Sequence, residues 1–325
     1  MKSLLLTAAV AALAFTGCAT EDTPVSPTPP QGIPVNFSTE ITEISRSAPV
    51  TAFIDTNEIG VFGTETLVAT PEVPTSGWMD NMKLTRASGV WSAAASKFFV
   101  YGYKYTFAAY APYMTGANDP TAISYTASKT LSEQQDVMYA DVIDKDFSAT
   151  VPAAADAQVK FNFHHALVQL KFSAKTAADY SAYYTVKVTK VQVVDILSTA
   201  TLNCKTGVWS TPTAKLTYEQ TVDNKELNST GFTQLESAGD DVLMLIPQNP
   251  NGCKVVMSVT AVNKADAKVT KTTDIEVAFP DEAWVMNNVY RYKVTLNLNA
   301  ILGFENAVFQ EPDIAAWGTE IPKEI

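Results

Sequence analysis

The sequence predicts a mainly β protein built from antiparallel β-sandwiches. Apolar stretches in this chain of 325 residues are short and are separated by Pro, Gly, Asn or Asp. Several of them alternate apolar and polar residues, which is the pattern of a strand with one buried face. Helical periodicity with capping residues is scarce. Strands at such spacing, with turn signals between them, are typical of antiparallel sandwiches.

The first residues have the pattern of a lipoprotein signal peptide. Lys2 precedes the apolar segment Leu4–Ala14, which is too short to span a bilayer and is followed by small residues. The next residues, Phe15-Thr16-Gly17-Cys18, resemble a bacterial lipobox, although Phe15 stands where leucine is usual. We therefore predict that residues 1–17 are removed and that acyl chains such as palmitate on Cys18 anchor the protein in the outer membrane. The alternative is an ordinary secreted protein with a stray cysteine.

Residues 18–34 form the predicted lipid-anchored tether. Ala19-Thr20-Glu21-Asp22 resembles the acidic export signal that sends Bacteroidetes lipoproteins to the outer face of the outer membrane, so we expect a surface-exposed protein. Prolines then recur among Ser, Thr, Gln and Gly, and each fixes φ and removes a backbone donor. The segment should therefore be extended rather than part of a core. The prolines are Pro24, Pro27, Pro29, Pro30 and Pro34.

The first predicted strand covers residues 35–44. Apolar side chains at every second position alternate with polar ones, as in a half-buried strand. Arg46 and Ser47 follow in what should be a flexible hinge, which suits a protease that cuts after arginine. The alternative is that Arg46 is an ordinary surface residue. The alternating positions on the apolar face are Val35, Phe37, Thr39 and Ile41.

Strand-like runs continue until about residue 150, where the chain becomes rich in Ala and Pro and loses its pattern. We therefore predict an N-terminal sandwich over residues 35–152 and a C-terminal sandwich over residues 153–325. The runs in the first part are Ile59–Gly63, Phe98–Tyr101, Thr106–Tyr113 and Val137–Tyr139.

The second part is more regular. Val289–Leu298 alternates almost without fault, which predicts a strand with one solvent-exposed face. In Tyr184–Val194 the apolar residues change phase, which predicts a β-bulge. Asp241–Pro247 is apolar on both faces, the pattern of a central strand covered on both sides.

Composition and motifs argue against several functions. Asp and Glu number 34 against 23 Lys and Arg, without a basic cluster, so no nucleic-acid partner is expected. No phosphate loop or nucleophile motif is present, so we expect neither an enzyme nor a cofactor. His164 and His165 are adjacent on a predicted strand and point to opposite faces, so they cannot hold one metal ion together. Cys204 and Cys253 are either bridged or two buried free thiols.

The chain after the signal peptide and tether contains an ordered series of short motifs. They are Val35–Ile41 before Arg46, Glu58–Phe62, Phe107–Tyr113, Asp136–Ala140, Phe161–Phe172, Ile246–Gln248 and Asp313–Trp317. None of the motifs is specific alone, but in order and spacing the series resembles the fimbrillin-like lipoproteins of the Bacteroidetes, the subunits of type V pili of the major or minor fimbrium type.

The resemblance implies two transthyretin-like antiparallel β-sandwich domains in tandem and a structural, adhesive function. In that family a trypsin-like, arginine- or lysine-specific protease cuts after the first strand, here after Arg46, and the C-terminal segment of another subunit fills the groove. The implied partners are other fimbrial subunits in a homo- or hetero-polymer, the protease and the outer membrane. The ligand on host or bacterial surfaces stays open.

The candidate donor strand lies in the tail, residues 300–325. Apolar residues at a free chain end usually dock against something. The alternative is that they complete the sheet of the second domain. The candidate residues are Ile301, Phe304, Val308, Phe309, Ile314 and Trp317.

A rival function is that of a surface glycan-binding lipoprotein in a nutrient-uptake system. Such a protein is also built of sandwiches behind a lipid anchor, but it needs exposed aromatic platforms and no removable strand. The tryptophans that could provide a platform, or else lie in the core, are Trp78, Trp91, Trp209, Trp284 and Trp317.

Overall fold

The computed structural model describes residues 32–42, 52–69, 73–236, 243–302 and 312–316, without the side chains of residues 73–76, 313, 315 and 316. Strands dominate these ranges, as the sequence predicts. The helical elements found there are α1 (Leu298–Leu302) and two 3-10 helices, Leu131–Glu133 and Ala154–Ala157.

Several predicted features lie outside the described residues and stay predictions. They are the lipidation site Cys18, the processing site Arg46 and Ser47, the end of the first strand at residues 43 and 44, and the donor candidates Phe304, Val308, Phe309 and Trp317.

The strands are numbered in chain order. Those of the first half are β1 (Ile33–Pro34), β2 (Asn36–Ile41), β3 (Glu58–Leu67), β4 (Val73–Ala87), β5 (Val90–Ala93), β6 (Phe98–Phe99), β7 (Tyr103–Ala111), β8 (Ile123–Thr126), β9 (Met138–Ala140), β10 (Ile143–Asp146) and β11 (Gln158–His165). Those of the second half are β12 (Val168–Thr176), β13 (Tyr184–Asn203), β14 (Val208–Trp209), β15 (Thr213–Glu226), β16 (Thr233–Gln234), β17 (Leu243–Leu245), β18 (Lys254–Asn263), β19 (Thr270–Ala278), β20 (Asn288–Leu296) and β21 (Asp313–Ala316).

The first sheet has the strand order β2-β11-β9-β7-β3-β4-β5, and β10 also pairs with β7. Its two end strands approach each other, because Trp91 Nε1 on β5 donates to Thr39 Oγ1 on β2 at 3.0 Å. The sheet is therefore rolled around a first core. Large buried side chains of this core are Ile59, Val61, Trp91, Tyr105, Phe107, Phe161 and Phe163.

Two further sheets enclose a second core. The second sheet has the order β16-β12-β20-β21, with β17 also paired to β12, and the third has β14-β13-β18-β19, with β8 and β15 also paired to β13. Their inner faces share one cluster of buried side chains, which is sandwich packing. Most pairs are antiparallel, as predicted, but β2 with β11 and β12 with β20 are parallel.

The first sheet also contributes to the second core. On β7, Phe107 and Ala109 lie in the first core, whereas Ala108 and Tyr110 lie in the second, so this strand is buried on both faces. The described residues, which begin at Gly32, accordingly lie in one compact unit.

The chain does not pass from the first sheet to the other two sheets at residue 152, where the sequence predicts a domain boundary. The strand β11 lies beyond that boundary but pairs with β2 and β9, whereas β8 lies before it and pairs with β13. The pairings change after His165, where β11 gives way to β12. The division into two tandem domains stays a prediction.

Two details of the second half confirm the sequence patterns and two correct them. The predicted β-bulge is present, because the register of β13 shifts between Val188 and Lys190. Leu243–Leu245 is buried on both faces, but among the described residues it pairs only with β12 and is not central. The predicted exposed face of β20 is wrong at Arg291, which is buried with its Nη2 2.6 Å from Glu236 Oε1.

The predicted tether is also shorter than expected at its C-terminal end. Ile33 and Pro34 form β1 and pair with Phe99 and Phe98 of β6. Proline is compatible with this position because β1 is a short strand of a two-stranded sheet, so that no central ladder loses an N–H donor.

Cys204 and Cys253 are both free and buried, which decides between the two alternatives left open by the sequence. Burial raises the pKa of the Cys204 thiol to about 12. It also raises the pKa of the Cys253 thiol. Since the thiolate is the reactive form, both groups should be chemically inert in the folded protein.

We predict that neither thiol reacts measurably with a thiol reagent in the folded protein at mildly alkaline pH. A Cys18→Ser variant would be used so that only Cys204 and Cys253 are counted. In denaturant both should react at once, because the pKa returns to that of an exposed thiol. Rapid labelling under native conditions would contradict the burial of these side chains.

Candidate functional site at β2 and the C-terminal strand

The strand β2 lies at the edge of the first sheet and runs parallel to β11. The register places Phe37 opposite Val159, Thr39 opposite Phe161 and Ile41 opposite Phe163. The strand is extended further by Thr42, whose N–H donates to Phe163 O at 2.9 Å. At its start, Val35 N–H donates to Lys97 O at 2.8 Å. The predicted first strand is therefore present, and it is held by hydrogen bonds along its length.

The apolar face of β2 packs into the first core. Phe37 stacks on Phe161, with ring centroids 6.0 Å apart, and meets Phe107 edge-on at 6.4 Å. Ile41 is 5% exposed, whereas Val35 and Phe37 are only partly buried. Complete burial of such a side chain contributes about 1.5–3 kcal/mol, so Ile41 contributes in this range and the other two contribute less.

Thr39 provides a polar contact on the same face. Its Oγ1 accepts the hydrogen bond from Trp91 Nε1, and the Trp91 side chain is only 6% exposed. A buried indole N–H without an acceptor costs about 1–3 kcal/mol. The site of β2 therefore requires a hydroxyl or another acceptor at this position rather than a third aliphatic side chain.

The outer face of β2 carries an ion pair. Glu40 lies on this face and pairs with Lys160 of β11. The two side chains are well exposed, so the pair contributes little stability and mainly favours one register and one charge pattern.

Tyr105 holds in place the segment that contacts the start of β2. Its hydroxyl accepts a hydrogen bond from Val100 N–H at 2.9 Å, which fixes the segment that also offers Lys97 O to β2. Burial raises the pKa of Tyr105 to about 12, so the phenol stays protonated over the physiological range. Trp91, Lys160 and Tyr105 were not predicted from the sequence, because their link to β2 depends on contacts between distant segments.

The C-terminal segment is divided between the core and an edge. Ile301 in α1 is fully buried in the second core. The strand β21 pairs antiparallel with β20, with Ile314 opposite Tyr290, and Ile314 is 44% exposed. The alternative that the tail completes its own sheet therefore holds for β21, and Ile301 belongs to the chain's own core.

The histidines lie in separate environments. His164 Nε2 is 3.0 Å from Asp141 Oδ1. His165 is fully buried, and its Nδ1 lies 2.9–3.0 Å from the carboxylate oxygens of Asp136. No group of three or more His, Cys, Asp or Glu in the described part of the chain could hold a metal ion.

The tryptophans that the structure describes do not form an exposed platform. Trp78, Trp91 and Trp284 are buried, and Trp209 is partly buried with its Nε1 donating to Ala166 O at 2.7 Å. Trp317 lies outside the described residues.

Comparison with known proteins gives a family match. The sequence model of a family described as fimbrillin-like matches residues 46–317, most of the chain. The chain belongs to the fimbrillin-like family. The match begins at Arg46, so β1 and β2 lie before it.

Solved structures share the fold of this family member. A fimbrial protein from Bacteroides vulgatus is 18% identical with a TM-score of 0.61, and the match covers 87% of this chain and 99% of that one. A candidate cell adhesion protein from Bacteroides ovatus is 20% identical with a TM-score of 0.55, covering 90% and 100%. One from Bacteroides uniformis is 17% identical with a TM-score of 0.54, covering 88% and 99%. A search of curated proteins found no match.

Membership in the fimbrillin-like family implies a fimbrial protein that acts at the cell surface and assembles with other fimbrial subunits. The helix α1 has five residues, and the described chain contains no helix that is long and apolar enough to cross a membrane.

We predict that Thr39→Val destabilises the protein by about 1–3 kcal/mol, because Trp91 Nε1 loses its acceptor in a buried position. Thr39→Ser keeps the hydroxyl and is the matched control, with a much smaller effect. Chemical denaturation of both variants measures the difference. Equal stability of the two variants would mean that the hydrogen bond to Trp91 does not stabilise β2.

Proposed function

We propose that this chain is a fimbrial structural subunit that is exported as a lipoprotein, assembles by protease-triggered strand exchange and serves adhesion. One observation carries the proposal: β2 is an edge strand that fills a groove lined by Trp91, Phe107 and Phe161. Its pairing with β11 is on one side only, so its departure leaves the rest of the first sheet paired.

The segment that joins β2 to the rest of the chain contains Arg46. Cleavage after this residue would leave β1 and β2 bound only by non-covalent contacts. A strand that made the same backbone hydrogen bonds and filled the same pockets could then replace β2 at little net cost, because each gained contact offsets a lost one. An empty groove is unfavourable, since it exposes aromatic side chains and an unpaired sheet edge.

The partners in this proposal are a trypsin-like, arginine-specific protease and other fimbrial subunits, in a homo- or hetero-polymer.

The N-terminal residues of the precursor would determine its location. Acylation of Cys18 would anchor the precursor in the outer membrane, and Glu21 and Asp22 would direct it to the outer face. Removal of the leader together with β2 would then release the subunit from its anchor into the fimbrium. A subunit that kept its lipid would instead act as the anchor of the filament.

We predict that material from cell-surface filaments begins at Ser47 when its N-terminus is sequenced. The Arg46→Gln variant should keep residues 18–46 and should not enter filaments, because an arginine-specific protease no longer cuts after residue 46. The matched control is Arg86→Gln, which removes an arginine within β4 and leaves the hinge intact. Filament subunits that begin at Cys18 would contradict processing.

We also predict that a chain ending at Leu302 folds as a monomer but does not extend a filament. Ile301 remains in the second core of this variant, which should preserve the fold at some loss of stability from the missing β21. Circular dichroism would check the fold and electron microscopy the filaments. Undiminished filament growth would place the donor strand elsewhere in the chain.

A further inference from the structure

The described chain enters the first sheet at one end of that sheet. The strands β7 and β11 both pair antiparallel with β9, and β2 runs parallel to β11, so these three strands start at the same end. We call it the entry end. The strands β3 and β10 run antiparallel to β7 and finish there. The opposite end, where β11 finishes, is the one from which the chain continues into β12 of the second sheet.

Three segments of the chain meet at the entry end. They are residues 67–69, residues 98–102 and residues 147–155. Gly102 joins them, because its carbonyl oxygen accepts the N–H of Val68 at 2.9 Å and its own N–H donates to Phe147 O at 2.8 Å. Gly102 has a φ of 92°, a conformation that favours glycine at this junction.

These segments present apolar side chains to the solvent and no charge. Five large apolar side chains in them are between 36% and 69% exposed. None of the residues in the three segments is Asp, Glu, Lys or Arg, although 18% of the whole chain is charged. An exposed apolar cluster of this kind marks a contact with another protein or with a membrane. We call it the entry surface, and its side chains are Leu67, Val68, Phe98, Tyr101 and Val151.

The predicted tether joins the protein beside the entry surface. Gly32 packs so closely on β6 that an added Cβ would lie 2.6 Å from Phe99 O and 2.9 Å from Phe98 Cβ. Pro34 is the register partner of Phe98. Cys18 precedes Gly32 by only 14 residues, which span at most about 50 Å when fully extended. An acylated Cys18 therefore holds the entry end close to the lipid.

We propose that the entry surface rests on the lipid surface in which the acyl chains of Cys18 are embedded. This inference rests on the proposed function, because it requires the precursor to be a lipoprotein. It goes beyond that function by assigning a second, non-covalent contact with the membrane and a fixed orientation of the protein on it.

The chemistry of the entry surface suits a lipid rather than a second copy of the chain. The Tyr101 side chain is amphipathic and favours the boundary between headgroups and acyl chains, while the aliphatic side chains favour the acyl region. No charged group in the three segments has to lose its water. The tether raises the effective concentration of the lipid at this surface, so a contact that is weak by itself is sufficient.

This orientation leaves the other end of β2 accessible. The six residues of β2 lead away from the entry end over about 20 Å. Arg46 follows Ile41, the last residue of β2, by five residues. The chain therefore leaves β2 on the side of the sheet that faces away from the lipid, where a protease in solution can approach it.

A fluorescent label tests the contact in the full lipidated chain. Tyr101→Cys would carry an environment-sensitive dye, and the matched control is Val90→Cys. Val90 is 64% exposed and pairs with Ala87 where β4 turns into β5, at the opposite end of the sheet. Cys204 and Cys253 are buried, and an acylated Cys18 has no free thiol, so the dye reacts only with the introduced cysteine.

Both labelled proteins would be reconstituted into vesicles of phosphatidylethanolamine and phosphatidylglycerol that contain a nitroxide-labelled phospholipid. We expect at least threefold stronger quenching of the dye at residue 101 than of the dye at residue 90. Adding Val68→Asp and Phe98→Asp should reduce the quenching at residue 101 to the level at residue 90, because lipid contact would then desolvate two carboxylates. Both side chains are exposed, so circular dichroism should show an unchanged fold.

Three outcomes would overturn the inference, and they differ from one another. Equal quenching at residues 101 and 90 in protein that floats with the vesicles would reject the lipid contact and leave the lipoprotein intact. A change of the dye at residue 101 in soluble Cys18→Ser protein that grows with protein concentration would make the entry surface an interface between copies. Protein that carries no acyl chain and does not float with the vesicles would reject the lipid anchor of the proposed function together with this inference.

Discussion

The outer edge of β11 presents a row of backbone N–H and C=O groups, and beside it lie the rings of Phe161 and Phe107 and the indole N–H of Trp91. Only an added strand can satisfy all of these groups at once, because the hydrogen bonds, the apolar contacts and the acceptor for Trp91 lie along one line. In the described structure β2 is that strand. Any other stable state of the subunit has to provide an equivalent one, or it exposes an edge that promotes aggregation.

The remainder of the molecule connects this edge to the opposite end of the chain. His165 ends β11 and is buried against Asp136, and Ala166 accepts a hydrogen bond from Trp209. The next strand, β12, pairs in parallel with β20, which holds β21. Close packing also links the sheets at Gly207, where an added Cβ would lie 2.3 Å from the Tyr139 ring. The groove and the C-terminal strand therefore belong to one compact body rather than to two loosely joined parts.

The incorrect predictions share a physical cause. The alternation of β20 predicts that Arg291 lies in solvent, but Glu236, which lies far from it in sequence, provides the charge that makes burial acceptable. The prolines before Ile33 and Pro34 predict that these two residues belong to the tether, yet β6 lies close enough to pair with them.

The sequence by itself determined the β character of the chain, the existence of the first strand, the bulge in β13 and the resemblance to fimbrillins, because alternation and turn residues are local properties. Only the tertiary structure decided that β2 runs parallel to β11, that Thr39 faces Trp91 and that Glu40 faces Lys160. These are contacts between residues far apart in the chain, and their geometry depends on how the first sheet rolls to bring its two end strands together.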